Sequence, residues 1–194
     1  MPTPSALQPP DTSKESATRQ LGLWVFLGSV TSLFIATLAA VVITRIFAQQ
    51  WPSERIRELR GGLLVSTVCL ALCSFSLWHA TRALEHNRER TLQRGLWGAG
   101  GFALLFLVAQ GQNMVHAWSL LHATEDLYAF TFSLITGVHA LHIVGGLVPL
   151  ALVIHRASQR EYSSSRSQGV RLCAQYWHFL GAIWLVILAV LLAL

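Results

Sequence analysis

The sequence predicts an all-α membrane protein with five transmembrane helices. Of the 194 residues, 53% are hydrophobic and only 12% are charged, whereas a soluble domain has about 25% charged residues. The mean hydropathy is +0.50. The apolar residues gather in five stretches, each close to the ~20 residues that cross a bilayer as a helix. The connections between the stretches are too short to form a second, soluble domain.

The five spans follow one another along most of the chain. We expect them near residues 21–44, 61–80, 95–120, 128–154 and 172–194. Residues 1–20 precede them and are rich in Pro, Ser and Thr without apolar periodicity, which is typical of a disordered tail. The predicted organisation is therefore a tail over 1–20 and one five-helix domain over 21–194.

Basic residues in the connections predict the orientation. Ten Lys and Arg residues fall on the side that holds the tail and the second and fourth connections, against four on the other side. Since basic loops stay in the cytoplasm, we expect a cytoplasmic N-terminus and an outer C-terminus. The expected location is the inner membrane of a bacterium or of an organelle. This topology explains the net charge of +5 without a nucleic-acid partner.

None of the predicted spans contains a carboxylate, since all nine Asp and Glu residues fall in the tail or the connections. Ion-coupled transporters place an ionisable group at membrane depth, so this distribution disfavours an independent transporter. The three cysteines, Cys69, Cys73 and Cys173, form no C-x-x-C pair. We expect them to be buried small hydrophobic side chains rather than a disulfide or a metal site.

Polar side chains recur at helical spacing inside the last three spans. They are Gln110, Asn113 and His116, then Thr136, His139 and His142, then Tyr176, Trp177, His178 and Trp184. One interpretation makes His139, His142 and His178 metal or haem ligands. The other, which we favour, makes them interhelical hydrogen-bond partners worth about 0.6–2 kcal/mol per contact.

Simpler roles are expected for the remaining polar and aromatic residues. Thr136 is expected to bond its own helix backbone, and Tyr176 and Trp177 to belong to an interfacial aromatic belt. Four basic residues of the fourth connection are either orientation signals or contacts for phospholipid head groups. They are Arg156, Arg160, Arg166 and Arg171.

Two segments resemble the haem-copper oxidase subunit III family. The first is similar to a Thr-Gly-x-His-x-x-His-x-x-x-Gly pattern, matched here by Thr136, Gly137, His139, His142 and Gly146. The second resembles a Tyr-Trp-His-Phe signature followed by Trp, matched by Tyr176, Trp177, His178, Phe179 and Trp184. Both lie in the family order on the last two spans, and five spans fit the shorter form of the family. The resemblance covers roughly residues 20–194.

The resemblance implies a non-catalytic subunit of a respiratory terminal oxidase. Such a subunit packs against catalytic subunit I, in a complex that includes subunit II, and holds phospholipid. It has no cofactor of its own, because the haem and copper belong to the catalytic subunit. Two alternatives remain open: an accessory subunit of a nitric oxide reductase complex, and a small haem-binding electron carrier of the membrane.

Three positions depart from the family pattern. Relatives commonly have embedded acids where this chain has Val30, Asn113 and Gly181. The replacements imply a subunit that stabilises its complex without moving protons itself.

Overall fold

The computed structural model describes residues 12–47, 53–121, 127–162 and 167–193. Five α-helices form nearly all of this part of the chain, and it contains no strand. They are α1 (Thr12–Phe47), α2 (Ser53–Glu85), α3 (Glu89–Leu121), α4 (Leu127–Ser158) and α5 (Gln168–Ala193). All five contain a segment long and apolar enough to cross a membrane. The prediction of an all-helical protein with five spans is confirmed.

The helices extend beyond the apolar stretches that predicted them. Helix α2 begins at Ser53 and α3 at Glu89, several residues ahead of the expected starts at 61 and 95. The added turns contain Glu and Arg, which favour a helix as strongly as most apolar residues do. Helix α1 begins at Thr12, so the prediction of disorder is wrong for residues 12–20. Residues 1–11 lie outside the described part of the chain.

Helices α2 to α5 form a ring of packed neighbours. Helix α2 packs most extensively on α3, α3 packs on α4, α4 packs on α5, and α5 returns to α2. Helix α1 lies outside this ring against α4 and α5. From α2 to α5, short connections make consecutive helices antiparallel neighbours, and the contact between α2 and α5 closes the ring.

Aromatic side chains fill the centre of the bundle, and small residues bring its helices close together. Phe106, Trp177 and Trp184 are almost fully buried. A Cβ at Gly95 on α3 would lie 2.9 Å from the Cβ of Ala80 on α2, so the absence of a side chain there permits the close approach. The outer faces expose many large apolar side chains, as helices in contact with lipid or with partner helices do.

Candidate functional site

The two motif segments meet at His139, in the centre of the bundle. The His139 ring is fully buried and lies among aromatic rings of three other helices. Its centroid is 5.9 Å from that of Phe34 on α1, 5.7 Å from Phe106 on α3 and 5.1 Å from Trp184 on α5. Such ring contacts add about 0.5–1.5 kcal/mol per aromatic pair, so His139 holds four helices together by packing.

The hydrogen bond expected from His139 to another helix is not formed. Within the described part of the chain, neither ring nitrogen has a hydrogen-bond partner. The aromatic rings around it explain the difference, because they fill the space that a polar side chain would need. His142 also differs from the expectation, since its Nδ1 donates to the carbonyl of Val138 on its own helix at 2.8 Å.

The α4–α5 contact is closed by Tyr176. Its hydroxyl donates to the backbone carbonyl of His142 at 2.8 Å, and a Cβ at Gly146 would lie 2.6 Å from the Tyr176 ring. Tyr176 and Trp177 are both buried, whereas the side chains of an interfacial aromatic belt, which we expected here, face the lipid. The matched glycine explains why, since it lets the aromatic rings pack against the α4 backbone.

Within the membrane spans, hydrogen bonds of Ser74 and Thr67 join α2 to α5. Ser74 bonds the Nδ1 of His178, which gives His178 the interhelical contact expected of it. About two turns along α2, the indole N–H of Trp184 donates to the hydroxyl of Thr67 at 2.9 Å. Thr136 donates to the carbonyl of Phe132 on its own helix at 2.7 Å, as the sequence predicts.

A buried amide network joins α2 to α3. The Nδ2 of Asn113 donates to the hydroxyl of Ser66 at 3.0 Å and lies 3.5 Å from the Oε1 of Gln110. Gln110 and Asn113 are buried, whereas His116, expected on the same face, is exposed. The third span therefore has an inner polar pair rather than a trio.

The sequence pattern alone does not identify the hydrogen-bond partners on α2. Ser66, Thr67 and Ser74 lie within one span and accept or share the hydrogen bonds described above. The signal in the sequence is their spacing, because positions 66 and 74 are eight apart and so share a helix face. Serine and threonine are common in membrane helices, and this spacing alone does not show which helix they face.

A groove of about 510 Å³ runs between α1, α4 and α5. Its walls are largely apolar, with His142 and Tyr176 along it and Arg156 and Tyr162 also lining it. Burial raises the pKa of the Tyr162 phenol, and the nearby Arg156 cation opposes that rise. The phenol is therefore neutral at physiological pH and lies next to a guanidinium charge in the groove.

The four arginines considered for head-group contacts have different surroundings. Arg156 lines the groove. Arg160 forms an ion pair with Glu89 at 3.3 Å, and Arg171 forms one with Glu85 at 3.2 Å. Each of these two arginines therefore already has a carboxylate partner. Arg166 lies outside the described residues. Of the three described arginines, Arg156 has the position best suited to a phosphate.

The three positions that depart from the family pattern have different surroundings. Val30 is buried in the core and Asn113 lies in the amide network. Gly181 lines a second groove, between α2 and α5. In the described ranges no three His, Cys, Asp or Glu side chains converge as metal ligands would. The three cysteines are free.

Comparisons with known proteins match the chain over almost its whole length. A family model described as Cytochrome c oxidase subunit III matches residues 6–193. Cytochrome c oxidase subunit 3 of Synechocystis sp. is 30% identical over 171 residues, which cover 87% of this chain and 72% of that protein. The protein of the same name from Thermostichus vulcanus is 28% identical over 174 residues, which cover 89% of this chain and 86% of the relative. A probable cytochrome c oxidase subunit 3 from Mycobacterium leprae is 25% identical over 182 residues, which cover 88% and 85%.

Five helices that are long and apolar enough to cross a membrane define a multi-pass membrane protein. The chain belongs to the cytochrome c oxidase subunit III family, whose members are non-catalytic subunits of haem-copper oxidases. The resemblance found in the sequence is confirmed. These relatives do not support a nitric oxide reductase accessory subunit or a small haem-binding carrier.

Proposed function

We propose that this chain is subunit III of a respiratory terminal oxidase in a bacterial inner membrane, where it packs against catalytic subunit I in a complex with subunit II. One observation carries the proposal. Residues of both family motifs meet in one packed joint, in which His139 contacts Trp184 and Tyr176 bonds the His142 carbonyl. Through these contacts, the two motif segments fix α4 against α5.

A rigid bundle of this kind suits a supporting subunit. The exposed apolar faces of the helices supply the surface that a partner subunit covers within the membrane. The haem and copper belong to subunit I, and the chain itself binds neither. Its N-terminus lies in the cytoplasm. The ion pairs of Arg160 and Arg171 then lie on the cytoplasmic side, where most of the basic residues gather.

The same subunit holds a phospholipid in the groove between α1, α4 and α5. The apolar walls accommodate acyl chains, and Arg156 beside Tyr162 offers a cation and a hydroxyl to the phosphate. A Lys or Arg near an anionic surface contributes about 1 kcal/mol to lipid binding.

Affinity purification of the tagged chain in mild detergent tests the assignment to an oxidase. We expect haem-bearing and copper-bearing subunits to co-purify, and the absorption spectrum of the separated chain to show no haem band. Recovery of the chain without such partners, or with a stoichiometric haem of its own, would overturn the proposal. Reporter fusions at the two ends of the chain test the orientation, and an outer N-terminus would contradict it.

The lipid contact has a separate test. An Arg156→Gln variant of the complex is expected to retain less phospholipid than the wild type, measured as lipid phosphorus per chain after extensive washing. Arg88→Gln is the matched control, since Arg88 is an exposed residue of the α2–α3 connection that does not line the groove. Equal retention in the two variants would remove Arg156 from the lipid site.

A further inference from the structure

A second groove, of about 480 Å³, lies between α2 and α5. Its lining includes Thr67, Ala71 and Trp78 on α2 and His178, Gly181 and Leu185 on α5. It shares no lining residue with the groove of Arg156. The two grooves are therefore separate sites on different faces of the bundle.

The length of this groove matches one leaflet of a bilayer. On α2 it extends from Thr67 to Trp78, which corresponds to about 16 Å at 1.5 Å per residue. Half of a ~30 Å hydrocarbon core is about 15 Å. The groove therefore has the length that one acyl chain of a phospholipid occupies in its leaflet.

The polar side chains of the groove have hydrogen-bond partners within it. Ser74 bonds His178, and Trp184 donates to Thr67. Ala71, Gly181 and Ala182 are small, and no atom lies within 4 Å of the place where a Cβ at Gly181 would be. The glycine therefore leaves open, uncharged space at position 181.

A cation lies beside one end of the groove. The Arg82 guanidinium lies 4.2 Å from the ring centroid of Trp78, which lines the groove. Among the described residues Arg82 forms no salt bridge, because the nearby carboxylate of Glu85 pairs with Arg171. Tryptophan beside arginine at the end of a spanning helix is the arrangement found at the head-group level of a membrane.

We propose that the α2–α5 groove binds an anionic phospholipid, with its phosphate at Arg82 and one acyl chain extending past Gly181 to Thr67. The charge at one end, the leaflet length and the paired polar side chains all fit this occupant. The site depends on the membrane location of the chain and not on its place in an oxidase.

Native mass spectrometry of the purified complex measures the head-group preference. After delipidation, the complex is titrated with phosphatidylglycerol and with phosphatidylcholine of identical acyl chains. We expect Arg82→Gln to weaken phosphatidylglycerol binding about fivefold, the equivalent of ~1 kcal/mol per basic residue, while Arg82→Lys retains it. The matched control is Arg94→Gln, because Arg94 is exposed on α3 away from the groove.

A photoactivatable phosphatidylglycerol with a diazirine in its acyl chain locates the lipid. It should label peptides from 67–78 and 178–185, and labelling should fall several-fold in Gly181→Leu, which fills the groove. Gly101→Leu is the control, since the place of its Cβ is equally open and lies outside the groove. Unchanged labelling in Gly181→Leu, or unchanged lipid preference in Arg82→Gln, would overturn the proposal.

Co-purification of the haem-bearing subunits separates this inference from the assignment to an oxidase. If Gly181→Leu releases those subunits while lipid labelling persists, the groove is an interface with a partner protein and the lipid proposal is wrong. If lipid labels the groove of a chain that never co-purifies with haem, the lipid site stands and the assignment to an oxidase fails.

Discussion

Gly62 on α2 faces the amide of Asn113 on α3 so closely that no side chain fits between them. A Cβ at Gly62 would lie 1.8 Å from Oδ1 and 2.8 Å from Cγ of Asn113. Asn113 is buried, and Ser66 accepts a hydrogen bond from its amide. The glycine therefore allows α2 and α3 to pack closely around a polar group at membrane depth.

Gly62→Ala should destabilise the bundle by about 1–3 kcal/mol, the usual cost of overpacking a core. The free energy of unfolding can be measured by tryptophan fluorescence in mixed micelles of increasing dodecyl sulfate content. The neighbouring Gly61→Ala is the control, because no atom lies within 4 Å of the place of its Cβ. Equal losses in the two variants would contradict the close contact.

The bond between Asn113 and Ser66 can be isolated by a double-mutant cycle. With Asn113→Ala and Ser66→Ala, we expect a coupling of about 0.6 kcal/mol and no more than about 1.7 kcal/mol, as for other hydrogen bonds between membrane helices. A parallel cycle of Asn113 with Ser119, which bonds its own helix at the His116 carbonyl, should give a coupling near zero. A coupling near zero in the first cycle as well would show that packing alone holds the pair.

Hydropathy predicted the number and order of the helices because the cost of exposing backbone groups to lipid dictates helical spans. It placed their ends less well. The first turns of α2 and α3 contain charged residues that are outside an apolar window but are good helix formers. For the same reason the helix that contains Trp24 begins at Thr12, well before its apolar stretch.

The contacts between helices could not be predicted from the same pattern. Spans that are apolar on all sides give no periodic signal for the buried face, so the sequence did not indicate that His139 lies among aromatic rings. Nor did it indicate that α5 returns to α2, where Thr67 and Ser74 are the partners of Trp184 and His178. The family motifs identified the α4 and α5 residues but not these partners.

Thr67 is expected to contribute more to the stability of the bundle than its partly exposed position suggests. Its hydroxyl donates to the Leu63 carbonyl at 2.7 Å and accepts from the Trp184 indole. Thr67→Val should cost about 1–3 kcal/mol, because it leaves a buried N–H without an acceptor, while Thr67→Ser should stay close to the wild type. Thr37→Val is a matched control that removes only a bond within one helix; a similar loss there would refute the role of Trp184.

The ion pair between Arg171 and Glu85 should contribute little to stability. Both side chains are about half exposed, at 54% and 50%, and exposed pairs of this kind are worth about 0–1 kcal/mol. We expect Glu85→Gln to lower the free energy of unfolding by less than about 1 kcal/mol at low salt, with no effect at about 1 M salt, where the Debye length is ~3 Å. Glu161→Gln serves as the control, and a salt-independent loss in Glu85→Gln would indicate a role other than ion pairing.

Gly146 sets the distance between the two motif helices and provides the sharpest test of their joint. A Cβ there would lie 2.6 Å from the Tyr176 ring and 3.3 Å from the Trp177 ring, so Gly146→Ala must displace Tyr176 and weaken its bond to the His142 carbonyl. We expect a loss of about 1–3 kcal/mol from overpacking and reduced co-purification of the haem-bearing subunits. Gly145→Ala adds the same methyl group one residue earlier, where no atom lies within 4 Å, and should leave both measurements unchanged. If Gly146→Ala weakens the bundle yet the complex still assembles fully, the joint stabilises the fold but does not determine how the subunit docks.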